Sequence, residues 1–279
     1  MSAESVLQLE AAIRLGCFLA VFLSVWGWET AAPRRARTAQ HWLRWVNNLA
    51  VAVVNGLCLR LLFPLIATTF AVYANARGWG LLPLLGLPGW LAGVIAFLLL
   101  DLAIYGQHVV FHAVPAFWRL HRMHHTDPGF DLTTALRFHP LEIVLSMGFK
   151  LLLVALLGPP AIAVLIFEIM LNATAMFNHA NAYLPPPVDR WVRLLLVTPD
   201  MHRVHHSVYR DETDSNFGFN LPWWDRVFGT YRAQPRGGHE NMRIGIEGFC
   251  APRDVWLDKL LLQPLRDMPT DTAGRRKRE

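Results

Sequence analysis

The 279 residues are 53% apolar and 17% charged, with mean hydropathy +0.29 and net charge +5, whereas a soluble domain carries about a quarter charged residues. That deficit argues against a soluble domain, and the basic residues gather in short loops rather than in a nucleic-acid-binding patch. Three cysteines without a Cys-x-x-Cys spacing exclude a disulfide framework and a thiolate zinc site.

The first apolar stretch runs from about Val6 to Trp28. It is not read as a secretory signal, because Glu4 and Glu10 precede Arg14 and no small-residue cleavage site follows before Trp28-Glu29. The basic loop Pro33–Arg44 comes next, flanked by Trp26, Trp28, Trp42 and Trp45, as an interfacial aromatic belt would be. A second stretch spans about Leu49 to Tyr73, and the loop around Arg77 is almost free of charge. The third, Leu87 to Tyr105, leads into "GQHVVFH" and the basic loop Pro115–Pro140. Leu141 to Phe177 is too long for one span of about 20 residues. "GPP" at Gly158–Pro160 divides it into two helices joined by a tight turn, a hairpin that either crosses or dips.

These stretches predict five membrane segments. The Lys/Arg asymmetry of the loops places the N-terminus outside and Pro33–Arg44, Pro115–Pro140 and everything after Asn178 inside, where the basic tail "GRRKRE" also falls. An excess of arginine over lysine points to a GC-rich genome and hence a bacterial inner membrane. The last hundred residues are more polar, and "LPPPVDR" and "NLPWWDRVFGTYR" read as loops between short helices. The expected fold is all-α: a polytopic membrane bundle with a cytoplasmic, histidine-rich helical cap holding a dimetal centre. Residues 1–94 supply N-terminal transmembrane helices, 95–232 a catalytic domain and 233–279 a cytoplasmic tail, in one structural unit.

Histidines carry the functional signal. His108 and His112 stand at i and i+4 near the inner end of the third segment, so their rings share a helix face. "HRMHH" places His121, His124 and His125 at i, i+3 and i+4, and "HRVHH" repeats the pattern with His202, His205 and His206. His139 and His179 stand alone between the boxes. His41 and His239 read as ordinary structural residues. Three same-face boxes on one side of a membrane are a poor outcome of chance, and ionisable groups beside membrane spans are costly unless functional. Metal binding follows. Imidazole suits zinc, copper, iron and nickel, and the histidines exceed the three or four ligands one ion takes, which implies two ions. The absence of HExxH removes a zinc-protease reading. Asp101, Asp127, Glu142, Asp200, Asn216 and His139 are the groups expected to orient ligand rings or to join them. Asp101 lies one heptad before His108, and Asp200 is equally placed to begin a helix.

His108-x-x-x-His112, His121-x-x-His124-His125 and His202-x-x-His205-His206, followed by "NFGFNLPWWDRVFGTY", closely resemble the membrane-bound fatty acid hydroxylase/sterol desaturase superfamily over about residues 95–232. The resemblance implies a di-iron centre held by the eight box histidines and by His179. A further histidine present in some relatives has no counterpart in "NATAMFNH". His139-Pro140-x-Glu142 resembles a motif of the sterol-type branch, with His139 anchoring a loop or supporting a ligand. The implied activity is O2-dependent hydroxylation or desaturation of a lipid C–H bond in a sterol-like, carotenoid or fatty acyl substrate. Zinc is a plausible substitute for iron in recombinant protein.

Electrons must arrive from outside, since no Gly-x-Gly-x-x-Gly strand–helix unit occurs. A ferredoxin or cytochrome-type donor with a reductase is implied. Arg203, Arg210, Arg226 and Arg232 would dock an acidic donor or sit on anionic headgroups. Arg119 and Arg122 are expected to face phosphate or a partner, Asp225 and Arg226 to pair within the cap, and Trp223 and Trp224 to pack at the interface. "TDPGF" is expected to turn the chain away from the site, and "ETDSNFG" to be a structural loop whose Asn216 bonds a ligand histidine. The rival readings are a metal transporter, which would carry acids and histidines midway through several spans, and a haem electron carrier, which needs only facing axial histidines.

Overall fold

The computed structural model describes residues 7–37 and 40–267; Glu4, Val6 and the basic tail "GRRKRE" lie outside them. Apolar runs with internally satisfied backbones form helices. The chain builds α1 (Glu10–Ala31), α2 (His41–Leu62), α3 (Ala67–Ala76), the single turn α4 (Leu81–Leu84), and α5 (Gly89–Ala113). It continues with α6 (Pro115–His125), α7 (Pro140–Leu157) and α8 (Ala161–Asn178). Among the described residues, five segments are long and apolar enough to cross a membrane. The described residues contain no strand, only isolated bridges between Pro33 and Ala182 and between Ser207 and Ile244.

One expected boundary changes. The stretch Leu49–Tyr73 is not a single helix: α2 starts eight residues earlier, at His41, and stops at Leu62. Pro64 breaks it, because a proline in a helix interior removes a hydrogen bond and clashes with the preceding turn. The chain resumes as α3, packed on α7 and α8. The break at Gly158–Pro160 is as expected. Gly158 ends α7 with φ 61, a left-handed conformation glycine adopts without steric cost. Gly80 approaches so closely that a Cβ there would lie 2.1 Å from the Gly158 nitrogen. Asn75 Nδ2 also donates to Pro159 O at 2.8 Å, so the α3–α5 connection and the α7–α8 turn meet at one end of the bundle.

The other end gathers the C-terminus of α1, the start of α2, the end of α5, the start of α7 and the end of α8. Arg34 N donates to Asn181 O at 2.9 Å and Tyr183 N to Ala32 O at 2.8 Å, tying the chain after α1 to the chain after α8. Trp26, Trp42 and Trp45 cluster there, with Trp45 6.2 Å from Trp26 and 5.8 Å from Trp42 between ring centroids.

On this end sits the cap. It comprises α6, the loop to α7, and the short helices α9 (Pro186–Val192), α10 (Pro199–His205), α11 (Arg210–Thr213), α12 (Trp223–Val227), α13 (Gly238–Asn241) and α14 (Leu257–Leu262). "LPPPVDR" and "WWDRVFGTY" thus hold short helices, α9 and α12, where loops were expected: the prolines of the first occupy helix starts, where a missing N–H costs nothing. Arg119 and Arg122 do not face an external partner. Arg119 Nε donates to Pro264 O at 2.7 Å and Arg122 to Gln263 O at 2.7 Å, so both fasten the last helical turns to α6.

Candidate metal centre

Nine histidines converge where α5, α6, α8 and α10 meet, and they fall into two buried groups. His108, His112, His121, His125 and His205 form the first; His124, His179, His202 and His206 form the second. In each group the facing nitrogens lie within 4.8 Å of one another. Local sequence explains the placement. Same-face spacing aims His108 and His112 from α5, while Pro115 starts α6 immediately afterwards and folds its histidine face back on them. Thr198 caps α10 by accepting from Met201 N at 3.4 Å, fixing the start of the helix that carries the third box.

The proton positions follow from acceptors that cannot donate. His108 Nδ1 donates to Phe217 O at 2.8 Å, His205 Nδ1 to Ser215 O at 2.7 Å and His179 Nδ1 to Ala175 O at 2.7 Å. His121 Nδ1 donates to Glu142 Oε1 at 2.6 Å, and His112 Nδ1 to Asp214 Oδ1 at 3.2 Å. A neutral imidazole that donates from Nδ1 leaves a bare lone pair on Nε2. These lone pairs face each other: His108 Nε2 is 3.1 Å from His121 Nε2 and 3.0 Å from His205 Nε2. In the second group His179 Nε2 is 3.1 Å from Nε2 of both His124 and His202. No proton is available between His108, His121 and His205, so these contacts are repulsive unless a cation lies among them. His206 adds two buried nitrogens with no hydrogen-bond partner. The donor set therefore fits metal ions, and nitrogen donors without thiolate suit iron, zinc or copper.

Desolvation, reinforced by neighbouring histidines, holds His124, His125, His202 and His206 well below the usual imidazole range. His205 is lowered to about 3 and His179 to about 4, burial again leading. Aromatic rings seal the site: Phe138 stacks on His124 at 4.4 Å, and Phe130, at φ 35, lies edge-on to His206 at 4.9 Å. "TDPGF" therefore closes over the second group rather than leading away from it.

Of the groups expected to support the ligands, Glu142 is the one whose side chain bonds a ligand ring. Asp101 does not reach His108; it accepts from Asn220 Nδ2 and Trp224 Nε1, both at 2.8 Å, and joins α5 to the segment around α12. Asp127 pairs with buried Arg44 and accepts from Asn48 Nδ2 at 3.1 Å, which pins the loop after α6. Burial would raise its carboxyl, but the Arg44 charge outweighs this and holds it at about 2. Asp200 lies in the first turn of α10 and pairs with Arg203 and with Arg34 at 3.3 Å. Asn216, at φ 53, donates to the carbonyls of Met201 and Arg232, both at 2.8 Å, instead of to a histidine. His139 caps α7, with Nδ1 accepting from Leu141 N at 3.2 Å and Nε2 donating to Leu261 O at 3.1 Å. It anchors a loop and stands outside both groups.

Two other expectations for the cap, an accessible Arg203 and an Asp225–Arg226 pair, are corrected. Arg203 is fully buried and unavailable to a partner. Arg226 donates to Arg193 O at 2.9 Å, whereas Asp225 accepts from Phe217 N at 2.8 Å and Gly218 N at 2.9 Å, so the two do not pair. Arg232 pairs with Asp211 at 2.6 Å and exposed Arg210 with Asp214 at 2.6 Å. Trp223 donates to Leu194 O at 2.7 Å. Asp214 and the carbonyls of Phe217, Ser215 and Ala175 are contacts that sequence reasoning missed. "ETDSNFG" offered an acid near the third box, but a backbone acceptor leaves no trace in residue type.

A cavity of about 430 Å³ runs from the first histidine group between α2, α5, α7 and α8. Ile104, Phe111, Phe138, Ile143, Leu171 and Phe219 line much of it.

The fatty acid hydroxylase family model matches residues 93–230. An ornithine lipid hydroxylase of Rhizobium tropici is 28% identical over 159 residues, 57% of this chain and 46% of that protein. Human alkylglycerol monooxygenase is 33% identical over 144 residues, 50% of this chain and 30% of the relative. Cholesterol 25-hydroxylase of Rattus norvegicus is 25% identical over 145 residues, covering 51% and 47%. The matched region thus spans less than half the length of each of these relatives. No solved structure matches the chain.

Proposed function

The chain belongs to the fatty acid hydroxylase/sterol desaturase superfamily, and on that premise we propose that it is a membrane-embedded di-iron oxygenase that hydroxylates a lipid C–H bond. The observation that carries this reading is the convergence of histidine nitrogens in two buried groups beside the cavity, with bare Nε2 lone pairs of His108, His121 and His205 facing one another in the first. His108, His112, His121, His125 and His205 would hold one iron, and His124, His179, His202 and His206 the other. When bound, the iron pair supplies the activation of O2 that C–H oxidation requires, with electrons delivered from outside.

The protein's own part is positioning and exclusion. Glu142 holds the proton on His121 Nδ1 and keeps the Nε2 lone pair turned inward, as the Phe217, Ser215 and Ala175 carbonyls do for His108, His205 and His179. The cavity admits an apolar chain or ring beside His108 and His121, and its aromatic and aliphatic walls exclude water from the reacting carbon. The names of the relatives share hydroxylation or mono-oxygenation of a lipid, which favours an alcohol product over an alkene.

Residues 95–232 are the catalytic domain in this reading, with 1–94 completing the membrane bundle and 233–279 the tail. The cap faces the cytoplasm, because the basic loops lie at its end of the bundle; the membrane is a bacterial inner membrane. The external donor is of ferredoxin or cytochrome type with its reductase. Zinc in recombinant protein would reflect substitution at the same nitrogens.

The test is metal analysis of purified protein, joined to lipidomics of a host with and without the gene. Two irons per chain and an oxygen gained in one lipid class are expected, the latter lost with His124→Ala. A haem absorption band, or an unchanged lipid gain from His124→Ala, overturns the reading.

A further inference from the structure

Deep in the same cavity, at the end away from the histidines, lies a charged cluster that the metal chemistry does not use. Lys150 on α7, Glu168 on α8 and Arg14 on α1 all line it. Lys150 Nζ donates to Glu168 Oε1 at 2.6 Å, and Arg14 donates to Glu168 Oε2 at 2.5 Å and to Thr68 Oγ1 at 2.7 Å. Charges within a bundle of membrane helices are expensive and persist where a function uses them.

The hydrogen-bond balance shows which function. Both oxygens of Glu168 are engaged. An ammonium has three donors, and Lys150 has only the one partner among the described residues. Spare capacity at this end is therefore for donating, beside two cations that share one carboxylate. Arg14 also donates to Glu10 of its own helix at 2.7 Å, which leaves Lys150 as the less neutralised cation. Its complement is a hydrogen-bond acceptor, anionic or neutral.

The spacing adds a ruler. Glu142, Ser146 and Lys150 fall at i, i+4 and i+8 of α7, and all three line the cavity. Glu142 touches His121 at one end of this row. At about 1.5 Å of rise per residue, Lys150 stands about 12 Å further along the helix. Ser146, midway, is engaged with Gln107 at 3.0 Å, and Leu59, Ile104, Met147 and Leu171 supply apolar wall between the two ends.

We propose that Lys150, held by Glu168 and backed by Arg14, is the headgroup subsite of this cavity. It takes an amphiphile whose acceptor-bearing polar end (a carboxylate, phosphate or hydroxyl) sits deep in the bundle, while its apolar body reaches back to the histidines. Lys150 is then a specificity-determining residue: it fixes which carbon, about 12 Å from the polar end, meets the metal centre. The proposal rests on the oxygenase reading for the role of that carbon, but binding itself requires no oxygen chemistry.

The experiment uses the full-length protein in lipid nanodiscs, with hexadecanoate, 1-hexadecanol and hexadecane as probes and thermal stability as the binding readout. Hexadecanoate and hexadecanol are expected to raise the melting temperature of the wild type, and hexadecane to raise it far less. Lys150→Met should weaken the response to both polar probes roughly tenfold or more in midpoint concentration, the scale of one lost charge-assisted hydrogen bond. Lys150→Arg should retain it. If Lys150→Met does not fold, the double variant Lys150→Met/Glu168→Gln, which removes the charge pair together, takes its place. Equal stabilisation by hexadecane, or an undiminished response in the folded Lys150 variant, overturns the proposal. Product analysis separates the two readings. Loss of the subsite should spread oxidation over several carbons, whereas a wild type that makes no oxygenated lipid yet binds the polar probes through Lys150 refutes the oxygenase and leaves the subsite standing.

Discussion

Glu142 Oε1 lies 2.6 Å from Nδ1 of His121, and both side chains are buried. Among the described residues this is the one buried carboxylate that touches a ligand candidate, and its position four residues after Phe138 places it at the start of α7, facing α6. Removing it frees the His121 ring to rotate and to change tautomer. Glu142→Ala is expected to weaken iron binding by about 10–100-fold, the usual cost of losing a ligand-orienting partner. Iron content after dialysis against a graded chelator measures it; Glu142→Gln, which still accepts through its carbonyl, should retain more.

His206 tests the division into two groups. It is buried, and neither ring nitrogen has a protein partner. His206→Ala should lower iron from two ions per chain towards one while the group around His108 keeps its metal, because the second group falls from four histidine ligands to three and the first keeps all five. Metal stoichiometry and Mössbauer spectra of the variant decide this; complete retention would show that His206 is no ligand.

Arg44 is the keystone of the loop that closes over the second group. It donates to Asp127 and, at 3.0 Å, to Asp131, and a Cβ on Gly129 would collide with its guanidinium at 2.1 Å. Arg44→Met leaves two buried carboxylates facing one another, and breaking a buried pair from one side costs about 3–5 kcal/mol. Thermal unfolding should show a large loss for Arg44→Met. Gly129→Ala should also destabilise, through the clash.

His239 provides a pH handle away from the metal. Burial is the main cause that lowers its imidazole to about 4, against the pull of Asp200 at 3.7 Å and with help from Arg203, Arg34 and Arg193. The unfolded value is about 6.5. Between those two values the unfolded chain binds more protons than the folded one, so stability falls as pH drops from about 6.5 towards 4 and levels off below. His239→Gln removes this contribution. The wild type should therefore lose stability relative to the variant as pH is lowered from 7 to 5; a constant difference in melting temperature across that range counts against it.

Asp101 receives three donors from the segment around α12, including Leu221 N at 3.3 Å. Asp101→Ala strands them, at about 1–3 kcal/mol for each donor left buried and unpaired. Loosening of the cap should be read by faster proteolysis after residue 190, with the five helical spans intact.

Residue type and spacing alone determined much of this protein. Apolar runs mark the membrane segments, because a helix in lipid needs length and oiliness and little else. The i, i+3, i+4 spelling of the boxes marks the histidines, because same-face spacing is a property of one helix and needs no partner. The break at Pro64 was written in the sequence as well, but a lone proline leaves open whether a helix bends or ends. Only packing against α7 and α8 made it an end. Tertiary structure alone decided how nine histidines sort into two groups, since His125 and His205 join the group of His108 while their neighbours His124 and His206 join the other. Adjacent residues on a helix point about 100° apart, so consecutive letters face different ions. It also decided which acids meet the site. Asp101, Asp127, Asp200 and Asn216 all lie close to a histidine in sequence, yet each spends its oxygens on indole, amide, guanidinium or backbone N–H groups that the fold brings from elsewhere in the chain. A carboxylate goes to the strongest donor within reach, and reach is a three-dimensional property.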